Sequence, residues 1–149
     1  MRHFSLWAAM IFALPPVSSA DEPGWVAIGP GDSFTQYVDV NSLRIRAGRL
    51  TASTLTDFAA PRQINADMKP YLSVTTLSTY DCTANRAGVL HITFHADAVG
   101  RGEVLKTITI KPAHVVMNHS SAGSLSQREI ETVCSMWAQV SKGIATAAK

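Results

Sequence analysis

Cysteine is nearly missing from this chain: its 149 residues hold two, Cys82 and Cys134. Two thiols cannot build a dense disulfide framework or a four-cysteine zinc site. Charge is also sparse, at 16% of residues, against about a quarter in ordinary globular domains. With 46% hydrophobic residues, the composition is that of a folded chain rather than a disordered one. No basic excess exists. Setting aside Arg2, which lies in the leader described below, 12 basic side chains face 11 acidic ones. That balance excludes a nucleic-acid binder, which needs a basic stripe, and gives no electrostatic reason for membrane adsorption. Repeats and low-complexity tracts are absent. So are a GxSxG elbow and a glycine-rich phosphate loop; "GRGE" has neither the length nor the lysine of one.

Long apolar runs are missing too. The longest, "FSLWAAMIFAL", has eleven residues, well short of the roughly 20 that span a bilayer. It follows the positive Arg2 and is broken by "PPVSSA". This layout predicts a signal peptide over residues 1–20, with cleavage between Ala20 and Asp21. No cysteine lies near that point, so neither a membrane span nor a lipid anchor is expected. The mature part, residues 21–149, is long enough for one domain with its own core.

What is present reads mostly as strand. "GWVAIG" (24–29) and "FTQYVDV" (34–40) flank the turn signal "PGDS". Asn41 is suited to cap a brief turn in "NSLR". "RLTASTLTDF" (49–58), "YLSVTTLSTYDC" (71–82), "AGVLHITFHA" (87–96) and "VLKTITI" (104–110) follow. In 71–82 side chains alternate, placing Leu72, Val74, Thr76, Ser78, Tyr80 and Cys82 on one face and Asp81 on the other. From Ser124 the period changes. Ile130, Val133, Cys134, Trp137 and Val140 form one helical stripe. Ser126 with Glu129 three residues on resembles a capping box. The expectation is an α+β fold: an antiparallel sheet of about six strands, with one C-terminal helix packed on one face.

Chemistry is harder to find. His91 and His95 lie four residues apart on a strand, roughly 13 Å, too far to share one zinc at about 2 Å. His114 and His119 fall in or near a loop. No metal site and no cofactor are expected. Asp81 beside Cys82 disfavours a thiolate, and Cys134 sits mid-helix, away from the N-terminus that would lower its pKa. No catalytic residue stands out. Arg44, Arg46 and Arg49 cluster around a turn, a candidate contact for an anionic partner. The cysteines suit a structural bridge. An exported protein meets an oxidising compartment, one cysteine lies on the apolar face of a strand, and the other lies on the helix stripe. A Cys82–Cys134 disulfide would staple the helix to the sheet and contribute about 4 kcal/mol by closing a long loop.

The ordered set "GWVAIG", "YVDVNSLR", "LTDF", "KPYLS" leading into "YDC", "GRGEV" and a last helix ending "TVC" resembles the bacterial surface-adhesin protein E family, small exported domains of Gram-negative bacteria. The resemblance implies an antiparallel sheet with a C-terminal helix held on it by a disulfide, its cysteines falling on Cys82 and Cys134. It also implies a non-enzymatic binding module, adhesin-like, periplasmic or secreted, that recognises a protein or small ligand through a sheet edge or an uncovered sheet face. A periplasmic enzyme or enzyme inhibitor, or an envelope structural protein, is the alternative. A homodimer stays open.

Overall fold

A computed structural model describes residues 24–147; the leader expected over residues 1–20 and its expected cleavage point lie outside them. Eight strands are built: β1 (Trp25–Pro30), β2 (Phe34–Asp39), β3 (Arg44–Arg46), β4 (Arg49–Arg62), β5 (Tyr71–Asp81), β6 (Arg86–His95), β7 (Val104–Thr109) and β8 (Asn118–His119). Helix α1 (Leu125–Ala147) follows. The sheet is antiparallel, in the order β1-β2-β4-β5-β6-β7, with β3 paired to β4 and β8 to β6 off this path. The expected α+β architecture is therefore present, with two short additional strands.

Even-numbered positions of β2, β4 and β5 face α1. Val38 sits opposite Thr54, Ala52 opposite Ser78, and Leu50 opposite Tyr80. Together with Leu43 they bury against Ile130 and Val133 of the helix, with Ile28, Ala87, Cys134, Met136 and Trp137 around them. The helical stripe fails at its last member: Val140 is 41% exposed, as is Ile144 further on at 61%. The helix is about 34 Å long at 1.5 Å per residue, and its final turns reach past the buried cluster. At its start the expected capping box is displaced by two residues. Ser124 caps the helix, its hydroxyl accepting from the Gln127 backbone N–H at 3.1 Å. The Gln127 side chain accepts in turn from Gly123 N–H at 2.7 Å. Ser126 and Glu129 belong to the helix proper. The turn after β2 is likewise capped by Asp39, whose carboxylate accepts from the N–H groups of Gly24 (2.8 Å) and Asn41 (2.9 Å), so Asn41 is the donor rather than the cap.

Cys82 lies just beyond β5 and is bonded to Cys134, with Cα atoms 5.8 Å apart and a sequence separation of 52. Asp81 turns away, as alternation requires. Its Oδ1 accepts from the N–H groups of Thr83 and Ala84 and from the Thr83 hydroxyl, closing the β5–β6 turn. These bonds hold its carboxyl below the ordinary range. At the opposite end of β5, Phe34, Phe58, Tyr71 and Phe94 form a row across four strands, with ring centroids 5.9, 5.7 and 5.1 Å apart. The β4 strand outruns its expected end at 58, continuing to Arg62 through Pro61 after a register irregularity. Proline is tolerated there because the regular ladder has already lapsed.

The second, outer face of the sheet is not bare. Residues 97–100 cross it at one end. There Ser73 Oγ donates to Asp97 O at 2.6 Å and accepts from Gly100 N–H at 2.9 Å, and Val99 N–H donates to Asp57 at 2.7 Å. Residues 115–117 cross β6 at the other end. A Cβ on Gly88 would lie 2.7 Å from Val115 Cγ1 and 2.8 Å from Met117 Sδ, so this crossing needs a residue without a side chain.

Two stability measurements check these points. Cys82→Ala/Cys134→Ala should lose about 4 kcal/mol in urea unfolding. The two-residue turn between Arg46 and Arg49 has positive φ at both Ala47 (48°) and Gly48 (76°), the conformation for which Asn-Gly is favoured. Ala47→Asn should raise stability by about 1 kcal/mol.

Candidate functional site

The arginine cluster becomes a surface through β3. This strand of only three residues pairs with the start of β4, setting Arg44 opposite Thr51, Ile45 opposite Leu50 and Arg46 opposite Arg49. Directly paired residues share a face, as do residues two apart. Arg44, Arg46, Arg49 and Thr51 therefore all stand on the outer face, while Ile45 and Leu50 point the other way. All three arginines are exposed. The ion pairs among the described residues are Lys69–Glu103 at 2.7 Å and Arg86–Asp81 at 3.6 Å, so neither engages this cluster. Arg46 and Arg49 face each other across the turn as like charges, an unfavourable cross-strand pairing.

Beside the hairpin lies a groove of about 460 Å³, bounded by Arg46, Arg49, Thr51, Thr79, Leu90, Pro112, Val115 and Met117. Its floor crosses β4, β5 and β6. Leu90 enters it through a bulge: the register between β5 and β6 jumps from Leu77–His91 to Ser78–Val89, leaving Leu90 as the extra residue. Bulges commonly re-aim a side chain in this way. The threonine hydroxyls are already committed, Thr51 to Arg44 O at 3.2 Å and Thr79 to Leu50 O at 3.3 Å. The floor is thus apolar in effect, and charge enters only from the arginine rim.

A second site lies between sheet and helix. Glu129 reaches down from α1 to Tyr80, whose hydroxyl donates to it at 2.7 Å, and its other oxygen accepts from the Gln36 amide. Tyr80 is 2% exposed. Burial, more than any neighbouring charge, raises the Glu129 carboxyl above its ordinary value despite these two donors. Burial, followed by the Glu129 charge, also raises the Tyr80 phenol. A cavity of about 250 Å³ adjoins the carboxyl, lined among others by Thr54, Thr56, Thr76, Ser78, His119 and Ser120. A polar pocket beside a carboxyl of shifted pKa is a recurrent site signature. Here both oxygens already fasten the helix to the sheet.

The histidines do not converge. His95 is buried and its Nε2 meets Thr75 Oγ1 at 2.9 Å; His91 Nδ1 meets Thr109 Oγ1 at 2.9 Å. Burial lowers the pKa of His95. His114 is exposed, and His119 lies on β8 at the polar cavity. Among the described residues, no three of His, Cys, Asp and Glu gather as a metal site would require. Glu129 was hidden from sequence reasoning by its spacing from Ser126. A signal was present nonetheless: Glu129, Val133 and Trp137 recur every four residues, so the acid stands in the buried row.

Glu129 makes a pH-dependent contribution. Its raised pKa means that the folded chain holds a proton which the unfolded chain has released. Stability is therefore lost as pH rises from the ordinary carboxyl value through the raised one. The lowered Asp81 works in the opposite direction, being stabilising above its unfolded value and losing that contribution as pH falls. Comparing wild type with Glu129→Gln isolates the first effect. In urea unfolding between pH 4 and 8, the variant should lose the decline; identical slopes would show that Glu129 is not its source.

A family model described as surface-adhesin protein E matches residues 25–135. No curated protein matches the chain. Among solved structures, one of Haemophilus influenzae protein E superposes with a TM-score of 0.58 at 11% identity, covering 83% of this chain and 91% of that one. A second crystal form of the same protein gives 0.54 at 9% identity, over 72% and 91%. At such identities the superpositions establish a shared fold, and the family model establishes descent. The chain belongs to the surface-adhesin protein E family.

Proposed function

We propose that this chain is an exported, non-enzymatic binding module of adhesin-like character. Its contact surface, in this reading, is the outer sheet face at the arginine hairpin. The observation that carries the proposal is the placement of Arg44, Arg46 and Arg49 on one face, exposed and without an acidic partner among the described residues, beside the groove. Guanidinium groups arranged in this way suit carboxylate or phosphate recognition, so the partner is a protein or small ligand that presents an anion. Family membership supports a binding role. The leader over residues 1–20, cut between Ala20 and Asp21, and the disulfide in the single domain 21–149 fit an oxidising compartment, periplasmic or extracellular.

A second reading, a periplasmic enzyme, is favoured by Glu129 at its polar cavity. The bonds from Tyr80 and Gln36 to both carboxylate oxygens weigh against it, because a general acid or base must reach a substrate.

Capture from envelope and host-matrix extracts tests the binding reading, using wild type and an Arg44→Gln/Arg46→Gln/Arg49→Gln variant side by side. Wild type should retain a partner that the variant loses, and retention should weaken as salt is raised from 0.05 to about 0.5 M, where exposed charges are screened. Equal capture by both proteins would move the contact surface elsewhere. Hydrolysis or transfer of an extract component that Glu129→Gln abolishes would establish the enzyme instead.

A further inference from the structure

We propose that the outer-face groove binds a linear amphiphilic carboxylate, its anionic head on Arg46 and Arg49 and its alkyl chain along Leu90, Val115 and Met117. This rests on the reading above that the hairpin face is the contact surface, and it assigns the chemistry of the ligand. The groove is built in two halves. One rim carries guanidinium groups; the floor and far wall carry Leu90, Pro112, Val115 and Met117. The floor offers no free hydroxyl donor, because Thr51 and Thr79 bond backbone carbonyls. A ligand that is polar throughout would leave its own groups unpaired there, which is costly. An uncharged apolar ligand would leave the arginine pair unrelieved.

The geometry of that pair argues for an anion. Arg46 and Arg49 are directly opposite across a two-residue turn, and the turn carries Ala47 at positive φ. Two local rules are broken at one point, against like charges in register and against a residue with a Cβ in the left-handed region. Such conflicts concentrate where function overrides stability. A carboxylate placed between the two guanidinium groups converts the repulsion into charge-assisted hydrogen bonds.

Shape argues for a chain. The groove runs from the hairpin across β5 to Leu90 on β6, about 10 Å at two strand spacings. Its volume of about 460 Å³ falls in the range of small-molecule sites, roughly 300–1,000 Å³. The far wall includes Met117, an unbranched thioether that adapts to irregular chains. That wall approaches β6 closely only because residue 88 is glycine. The cavity at Glu129 is a poorer host, since its carboxylate would repel an anion.

Calorimetric titration with decanoate below its micellar concentration tests the assignment. Wild type should bind one equivalent saturably. Arg46→Gln/Arg49→Gln should bind about tenfold more weakly or worse, while its urea midpoint rises because the like-charge pair is gone. Arg46→Lys/Arg49→Lys should fall between, keeping charge but losing the planar fork. Met117→Gln should weaken binding several-fold with the arginines intact, and decanol should bind less than decanoate. The assignment is overturned if wild type does not bind decanoate, if the Gln double variant binds it equally, or if phosphatidylglycerol vesicles are bound while free decanoate is not. Should decanoate fail while the triple arginine variant still loses its extract partner, the amphiphile falls and the contact surface stands.

Discussion

The fastening of one helix across one end of a sheet governs the rest of this molecule. Where it meets the helix, the inner face of the sheet carries few large apolar side chains: Val38, Leu50 and Tyr80 are buried beside the small Ala52, and Thr54 and Ser78 fill neighbouring positions, while Phe34, Phe58 and Phe94 stand on the same face toward its other end. Such a face does not hold a cover by hydrophobic area alone. Three attachments of different kind therefore share the task. Ile130 and Val133 supply the apolar contact. Glu129 reaches two strands, through Gln36 on β2 and Tyr80 on β5. The disulfide joins the helix to the end of β5. The covalent link limits how far the helix can drift when it detaches, which favours re-formation of the weaker contacts.

Glu129 shows why a polar anchor is workable in so thin a core. A buried carboxyl without donors would be heavily penalised. With a phenol and an amide in place, the group fixes the rotation and register of the helix, which apolar packing alone specifies poorly. The cost appears as a carboxyl that gives up its proton reluctantly. The other acid of the region, Asp81, behaves oppositely because it accepts from the Thr83 hydroxyl and from the backbone N–H groups of the turn.

Much of this was legible in the sequence. Alternation along β5 and the helical stripe are local and strongly periodic, so the pairing of the two cysteines was legible, although Cys82 falls in the turn just past the strand and is exposed rather than on its inner face. The arginines were visible as a group, but their shared face was not. That depended on β3, three residues whose turn has Ala-Gly where Asn-Gly is the recognised signal. The groove could not be read at all. Its floor depends on a one-residue bulge at Leu90, and its wall on a segment near 115–117 that has no periodicity and crosses the sheet only because Gly88 admits it. The role of Glu129 is hidden in the sequence for a related reason. Its distance from Ser126 fitted a local capping rule, yet the partners that hold it, Gln36 and Tyr80, are 93 and 49 residues away.

Strand β6 has a divided duty that follows from the bulge. Ala87 and Val89 look toward the helix side, while Leu90 lines the groove and Gly88 admits its wall. One strand is a single peptide layer thick, so the two sides share a backbone with nothing between them to absorb a shift. A substitution that repacks the helix seat therefore re-dimensions the groove, and one that widens the groove disturbs the helix seat.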